Sequence, residues 1–246
     1  MAGDNAKGSK PDAQPPLSLE AFDLIIFDFD GVIADSEIIS LSTLKETLTE
    51  YGIDLQAQEV RSLFLGKSLS TIEAFVAEHS TTSARGFAHT WQAKLFRRFK
   101  RELSPIAEVK DFLGVLTTLN LPYCIASSGT FERISVALTA MQMTALFGNV
   151  FSAEQVEHGK PAPDLFLYAA AQVGVPPRNC LVIEDSPYGV RAAKAANMYC
   201  AGFVGGAHLR GIEDQHGEFL SQQGADLIIS SYEALAPAIF RQRAKQ

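Results

Sequence analysis

The chain has 246 residues, 47% of them apolar, which suits one large domain, or a core with a smaller insert, around a sizeable hydrophobic interior. Its 21 Lys and Arg against 28 Asp and Glu give a net charge of −7, which argues against a nucleic-acid-binding surface and requires local positive charge wherever an anion is held. No apolar run approaches the length that spans a bilayer, and the first residues lack the apolar segment of a secretory signal, so the expectation is a cytoplasmic monomer without a membrane partner.

Residues 1–18 are rich in Gly, Asp, Lys, Ser and Pro and offer little to bury, the composition of a disordered tail. The run Leu24-Ile25-Ile26-Phe27 then reads as a buried strand of a parallel sheet, followed by Asp28, Asp30 and Gly31. Over 37–50, Ile38, Leu41, Leu44 and Leu48 recur at a helical period and Gly52 stands where a terminator belongs. Further helices are expected over 56–64, 69–79 and 85–103, broken by Gly66 and by the polar run 80–83, which makes an all-helical insert. Within it Phe87, Trp91, Leu95 and Phe99 form a packing stripe, and Arg97, Arg98, Lys100 and Arg101 read as a solvated basic face.

From Ile106 helices and strands alternate: helix 108–119 and strand 122–126, helix 131–141 and strand 150–152, helix 164–173 and strand 180–184. The series goes on with a helix at 190–196, a strand at 199–204, a strand at 226–229 and a helix at 232–243. These βαβ units, with right-handed crossovers, predict an α/β fold: a doubly wound parallel sheet whose ligands gather at the carboxyl ends of its strands. The expected division is a core of 19–35 and 106–246 with a helical cap of 36–105. Cys124, Cys180 and Cys200 lack paired-ligand spacing and read as buried free thiols, and the five histidines show no zinc-binding pattern.

Four strand ends carry the chemistry. Burying Asp28 and Asp30 unpaired after an apolar strand is costly, so they are expected to meet a cation. Ser127, Ser128, Gly129 and Thr130 precede a helix, where hydroxyls and free N–H groups suit either a phosphate or ordinary capping. Lys160 is fixed by Gly159 and Pro161 and can bind phosphate oxygens or balance carboxylates. Glu184 and Asp185, adjacent acids beyond another apolar strand, point to an oxygen-liganded Mg²⁺.

The stretches DFDGVIADSE, ASSGT, GKPAPD and IEDSPYGVRAAKAA resemble, in order, the four motifs of the haloacid dehalogenase-like hydrolase superfamily, a resemblance that covers nearly all of 22–229. The helical insert resembles the cap of the branch that holds β-phosphoglucomutases and small-molecule phosphatases. The resemblance implies that Asp28 is a nucleophile forming an aspartyl-phosphate. It makes Asp30 the general acid and base, a carboxyl that must start protonated and that neighbouring carboxylates and partial burial push in that direction. Ser127, with Ser128 beside it, and Lys160 would hold the phosphoryl group, while Asp28, the Asp30 carbonyl and Asp185, with Glu184 close by, would hold Mg²⁺. Asp35, Ser36 and Glu37 fall to the hinge into the cap.

Dehalogenases lack an acid at the position of Asp30, so phosphoryl transfer is implied. β-Phosphoglucomutases typically place a histidine where this chain has Ser40, and an arginine where Leu69 follows Gly66-Lys67-Ser68. Both markers are missing, which favours a phosphatase of a small phosphorylated metabolite, such as a sugar or polyol phosphate, with the mutase as alternative. Lys67 and Ser68 lie in the turn that such caps present to substrate. A phospho-accepting signalling module is the rival from another class; such modules are about half this length and have no helical insert.

Overall fold

The computed structural model describes residues 22–235. Its strands are β1 (Leu24–Phe27), β2 (Tyr123–Ser127), β3 (Val150–Ser152), β4 (Cys180–Glu184), β5 (Tyr199–Phe203) and β6 (Leu227–Ile229), all parallel, in the order β3-β2-β1-β4-β5-β6. β1 has no solvent-exposed residue, as a central strand covered on both faces requires. Its side chains alternate: Ile25 and Phe27 join one apolar cluster with Phe112, Phe203 and Tyr232, and Leu24 and Ile26 join the other with Cys124, Val182 and Phe166.

Two layers of helices cover the sheet. α5 (Val109–Thr118) and α6 (Phe131–Ala140) contribute to the first cluster, α7 (Asp164–Val173) and α8 (Pro187–Ala195) to the second. The chain winds outward through β2 and β3, then returns to lay β4 on the other side of β1. The carboxyl ends of β1 and β4 therefore flank the point where the winding reverses, the place where open α/β sheets bind ligands. Phe27 lies opposite both Ile125 and Ile183, which brings Asp28, Ser127, Glu184 and Asp185 out along one rim.

The insert is α1 (Glu37–Glu50), α2 (Ala57–Phe64), α3 (Leu69–His79) and α4 (Phe87–Glu102). Phe87, Trp91, Leu95 and Phe99 are buried along α4 as the four-residue spacing predicts, and α4 packs against both α1 and the core helix α6. Arg97, Lys100 and Arg101 are exposed. Arg98 departs from the expected solvated face: its guanidinium donates to Ser42 Oγ at 2.8 Å, Thr43 Oγ1 at 3.0 Å and Glu102 Oε2 at 2.8 Å, tying α4 to α1.

The helix α9 (Glu213–Gln222), between β5 and β6, has no counterpart in the sequence reading. Only Gly217 and Leu220 of it are buried, so it presents no apolar stripe, and a mid-helix glycine argues against it locally. The last expected helix begins as a 3-10 turn over Tyr232–Ala234; its remainder, like residues 1–18, lies outside the described residues. Tyr232 itself is buried, stacks on Phe112 and Phe203, and donates its hydroxyl to the Val32 carbonyl at 2.8 Å. The three cysteines are buried free thiols, and burial pushes the Cys180 thiol up to about 11. No described helix is long and apolar enough to cross a membrane.

Candidate functional site

Asp28 continues the β1 ladder, its N–H donating to the Ile183 carbonyl at 2.9 Å, and this sets its carboxylate beside those of Glu184 and Asp185. Oxygens of these three buried acids lie within 4.8 Å of one another. Gly31, at φ +80°, turns the chain under them. A Cβ there would stand 1.9 Å from Asp185 Oδ2, so the position is reserved for glycine twice over.

Lys160 fills the space between the acids. Its Nζ donates to Asp28 Oδ1 at 2.5 Å, Glu184 Oε1 at 2.6 Å and the Ala126 carbonyl at 3.0 Å, and its side chain is 3% exposed. A surface role in a rigid turn is ruled out. Burial works against its charge, but Asp28 and Glu184 outweigh burial and hold its pKa above the usual lysine value. Glu184 has its second oxygen accepting from the Ser186 N–H at 2.9 Å, so it anchors Lys160 while adding to the acid cluster.

Ser127, 1% exposed, accepts the Gly129 N–H on its Oγ at 3.0 Å. It does not cap α6; Thr130 does, accepting the Arg133 N–H at 3.2 Å. Capping therefore leaves Ser127 and the exposed Ser128 facing the same cavity, of about 220 Å³, as Asp28, Asp30, Lys160 and Asp185. Cap residues close its far side: Lys67, whose ammonium hydrogen-bonds the Tyr188 hydroxyl, together with Ser68, Trp91 and Gln92. Ser68 is also the N-cap of α3, accepting the Thr71 N–H.

Asp30 differs from its expected state. Arg133 grips its carboxylate as a fork, Nη2 to Oδ1 at 2.7 Å and Nε to Oδ2 at 3.3 Å, and Ser36 Oγ donates to it as well. Burial alone would raise its pKa; Arg133 more than offsets this and lowers it. Neighbouring carboxylates do not keep Asp30 protonated here. The same arginine donates to Ser40 Oγ at 2.9 Å and lies 5.2 Å from the centroid of the Phe99 ring, so it bridges core and cap.

Arg133, His208 and His216 escaped the sequence reading, and Glu37 figured in it only as a hinge residue. Arg133 did leave a signal: it sits in the first turn of α6, where the helix dipole disfavours a cation. Glu37, expected in a hinge, lines the cavity, and burial, aided by the Asp30 charge, lifts its carboxyl to about 7. The other hinge residues also have partners: Asp35 Oδ1 accepts the Ala207 N–H at 3.2 Å. The two histidines flank Asp185, His208 Nε2 at 3.2 Å from its carboxylate and His216 Nε2 at 2.7 Å from its backbone carbonyl.

The donor set suits a hard divalent cation. Asp28, Asp30, Glu184 and Asp185 set four carboxyl groups against two cations, Lys160 and Arg133, so acids outnumber bases around the cavity. Burial, reinforced by Glu184, pushes the carboxyls of Asp28 and Asp185 well above the ordinary range, against the opposing pull of Lys160. That is the electrostatic state of oxygens awaiting a positive charge. All are oxygen donors, which suit a hard divalent cation.

Comparison with known proteins agrees with this geometry. The model of the haloacid dehalogenase-like hydrolase family matches residues 25–203. The 6-phosphogluconate phosphatase of Escherichia coli (strain K12) is 30% identical over 190 residues, covering 74% of this chain and 85% of its own. A haloacid dehalogenase-like protein of unknown function from Agrobacterium tumefaciens superposes with a TM-score of 0.73 at 35% identity, over 91% of this chain and 99% of that one. A family hydrolase from Deinococcus radiodurans, solved with bound phosphate and sodium, gives 0.70 at 30% identity over 89% and 96%. The chain belongs to the haloacid dehalogenase-like hydrolase family, in its helical-cap branch of phosphoric monoester hydrolases.

Proposed function

We propose that the protein is a Mg²⁺-dependent phosphatase that hydrolyses a small phosphorylated metabolite, a sugar or polyol phosphate, through an aspartyl-phosphate on Asp28. The observation that carries this reading is the convergence of four strand ends on one cavity, with Lys160 bonded to Asp28 and acids outnumbering bases around it. The relative that acts on 6-phosphogluconate supports the substrate class.

Asp28, the Asp30 carbonyl and Asp185 would hold Mg²⁺, whose charge neutralises phosphate oxygens so that an anionic nucleophile can approach. A carboxylate oxygen of Asp28 attacks phosphorus and the ester P–O bond breaks; Ser127 and Lys160 bind the phosphoryl oxygens throughout. Asp30 gives the leaving oxygen its proton, then takes one from the water that attacks the aspartyl-phosphate and releases phosphate. The ionised, Arg133-held form of Asp30 is the one that accepts a proton; donating one requires the carboxyl to leave the fork. Ser40, with a hydroxyl engaged by Arg133 and no imidazole to offer a second sugar position, favours release to water over transfer to another site. Lys67 meets the substrate's far end.

Purified protein should release phosphate from members of a panel of sugar and polyol phosphates in the presence of Mg²⁺, and lose release when EDTA is added. Asp28→Asn should abolish turnover with the fold retained. Absence of release from the whole panel, or full activity of the Asn variant, defeats the proposal.

A further inference from the structure

We propose that Arg133 is a specificity-determining residue: its free Nη1 binds a hydroxyl on the carbon next to the phosphate-bearing one, so the site prefers the monophosphate of a vicinal diol to a plain alkyl phosphate. This preference rests on the phosphatase reading above and narrows its substrate class.

Most of the guanidinium is spent inside the protein. Nε and Nη2 form the fork on Asp30, and Nη2 donates also to Ser40 Oγ. Nη1 carries a further pair of N–H donors, and none of the bonds that Arg133 makes among the described residues uses them. Nor is Nη1 sealed off: the side-chain nitrogens and oxygens that are both buried and unpartnered among the described residues are Trp91 Nε1 and His208 Nδ1. The side chain of Arg133 keeps 14% exposure and lines the same cavity as Asp30, Glu37 and Ser40, so these donors open towards substrate.

They are also held in direction. The fork on Asp30 fixes the plane of the guanidinium, the Phe99 ring centroid lies 5.2 Å from its Cζ, and Gly129 leaves room for its stem, since a Cβ there would stand 3.2 Å from Arg133 Cδ. A donor already oriented loses little freedom when it binds. In the proposed mechanism the Asp30 carboxyl passes from Arg133 to the leaving oxygen, so that oxygen stands within two hydrogen-bond lengths of the guanidinium, about 5–6 Å. An oxygen on the neighbouring carbon, staggered against the ester oxygen, spans the gap. Glu37 lines the cavity close enough to Arg133 to feel its charge, and its side chain makes no hydrogen bond among the described residues. A hydroxyl suits both neighbours, because it accepts from Nη1 and donates to a carboxyl, which accepts whether or not it is protonated. A methyl group in its place would leave Nη1 unpaired in a closed cavity, the circumstance in which sites discriminate most strongly.

The test compares propyl phosphate with propane-1,2-diol 1-phosphate, which differ by that hydroxyl alone, and with propane-1,3-diol 1-phosphate, which moves it one carbon on. At fixed pH with Mg²⁺, wild type should turn over the 1,2-diol ester with a kcat/KM roughly 10–100-fold above both others, the worth of a hydrogen bond to a charged group. Arg133→Met should slow all three, because Asp30 loses its partner whatever the substrate, and should bring their ratios to within roughly threefold. A role confined to Asp30 would slow all three and keep the ratios. Arg133→Lys, which returns a charge to Asp30 without the fork and its outer nitrogen, should regain rate without regaining preference, and it decides where the Met variant does not fold or is too slow to measure. A wild type active on sugar or polyol phosphates but without the 1,2-diol preference, or a preference kept in either variant, overturns the proposal and leaves the phosphatase reading standing. A wild type that releases phosphate from no member of the panel overturns both.

Discussion

Replacing Gly189 with alanine sets two effects of opposite sign against each other. Gly189 is the third residue of α8, and its N–H already serves the Ser186 cap at 3.0 Å. An alanine inside a helix is favoured over glycine by about 0.8–1.0 kcal/mol, so by propensity the substitution stabilises. A Cβ there, however, would stand 1.7 Å from Glu184 Oε1, 1.8 Å from its Cδ and 2.4 Å from Oε2, against an ordinary contact of roughly 3.5 Å. Glu184 cannot swing aside cheaply, being 1% exposed and bonded to Lys160 and to the Ser186 N–H. Forcing the methyl in costs about 1–3 kcal/mol if α8 retreats, or about 3–5 kcal/mol if the buried pair with Lys160 breaks. The collision outweighs the propensity gain by about 0–2 kcal/mol if α8 retreats and by about 2–4 kcal/mol if the buried pair breaks; the tight hold on Glu184 favours the larger loss, and each kcal/mol lowers the melting temperature by about 2–4 °C in a domain of this size. Calorimetric melting checks it, and the double variant checks the cause: in an Glu184→Ala background the clash is gone, so Gly189→Ala should be neutral or stabilising. A single Gly189→Ala protein as stable as wild type would refute the reasoning.

Other substitutions probe the rest of the site. Arg133→Met removes the group that lowers the Asp30 pKa; that pKa should rise, and the basic limb of the kcat/KM profile, set by the protonated Asp30 that the leaving oxygen needs, should move to higher pH. An unchanged limb would detach Arg133 from proton transfer. Lys67→Ala leaves the strand ends untouched, so it should raise KM by on the order of tenfold, about 1.4 kcal/mol, with kcat little changed; equal loss in kcat would place Lys67 in the chemistry. Gly31→Ala forces a side chain to φ +80° and into Asp185 Oδ2, so Mg²⁺ affinity should collapse, as calorimetry would read.

What the sequence made legible follows from how local the physics is. Acids after Leu24-Ile25-Ile26-Phe27 and after Cys180-Leu181-Val182-Ile183 stand out because a buried apolar strand fixes their environment within a few residues. The order of strands and helices is equally local, since each period is written in its own segment. Asp30 was misjudged because its dominant neighbour is not Asp28 but Arg133, 103 residues away in the chain. His208 owes its place to two glycines and a turn whose approach to Asp185 exists only in the folded sheet. α9 is a helix by virtue of packing on the sheet through Gly217 and Leu220, and nothing in its own pattern announces that.

Arg133 has one more consequence, and it concerns timing. The residue is rooted in the core helix α6, yet its guanidinium rests on Ser40 of α1 and on the Phe99 ring of α4. A swing of the insert that carried those two away would strip the guanidinium of a hydrogen bond and an aromatic face, leaving Asp30 as its remaining anchor among these. Under the proposed mechanism, the group that moves protons is therefore wired to the position of the insert. Lesions in the lid that never touch a reacting atom should still alter how acid and base chemistry are sequenced during a turnover.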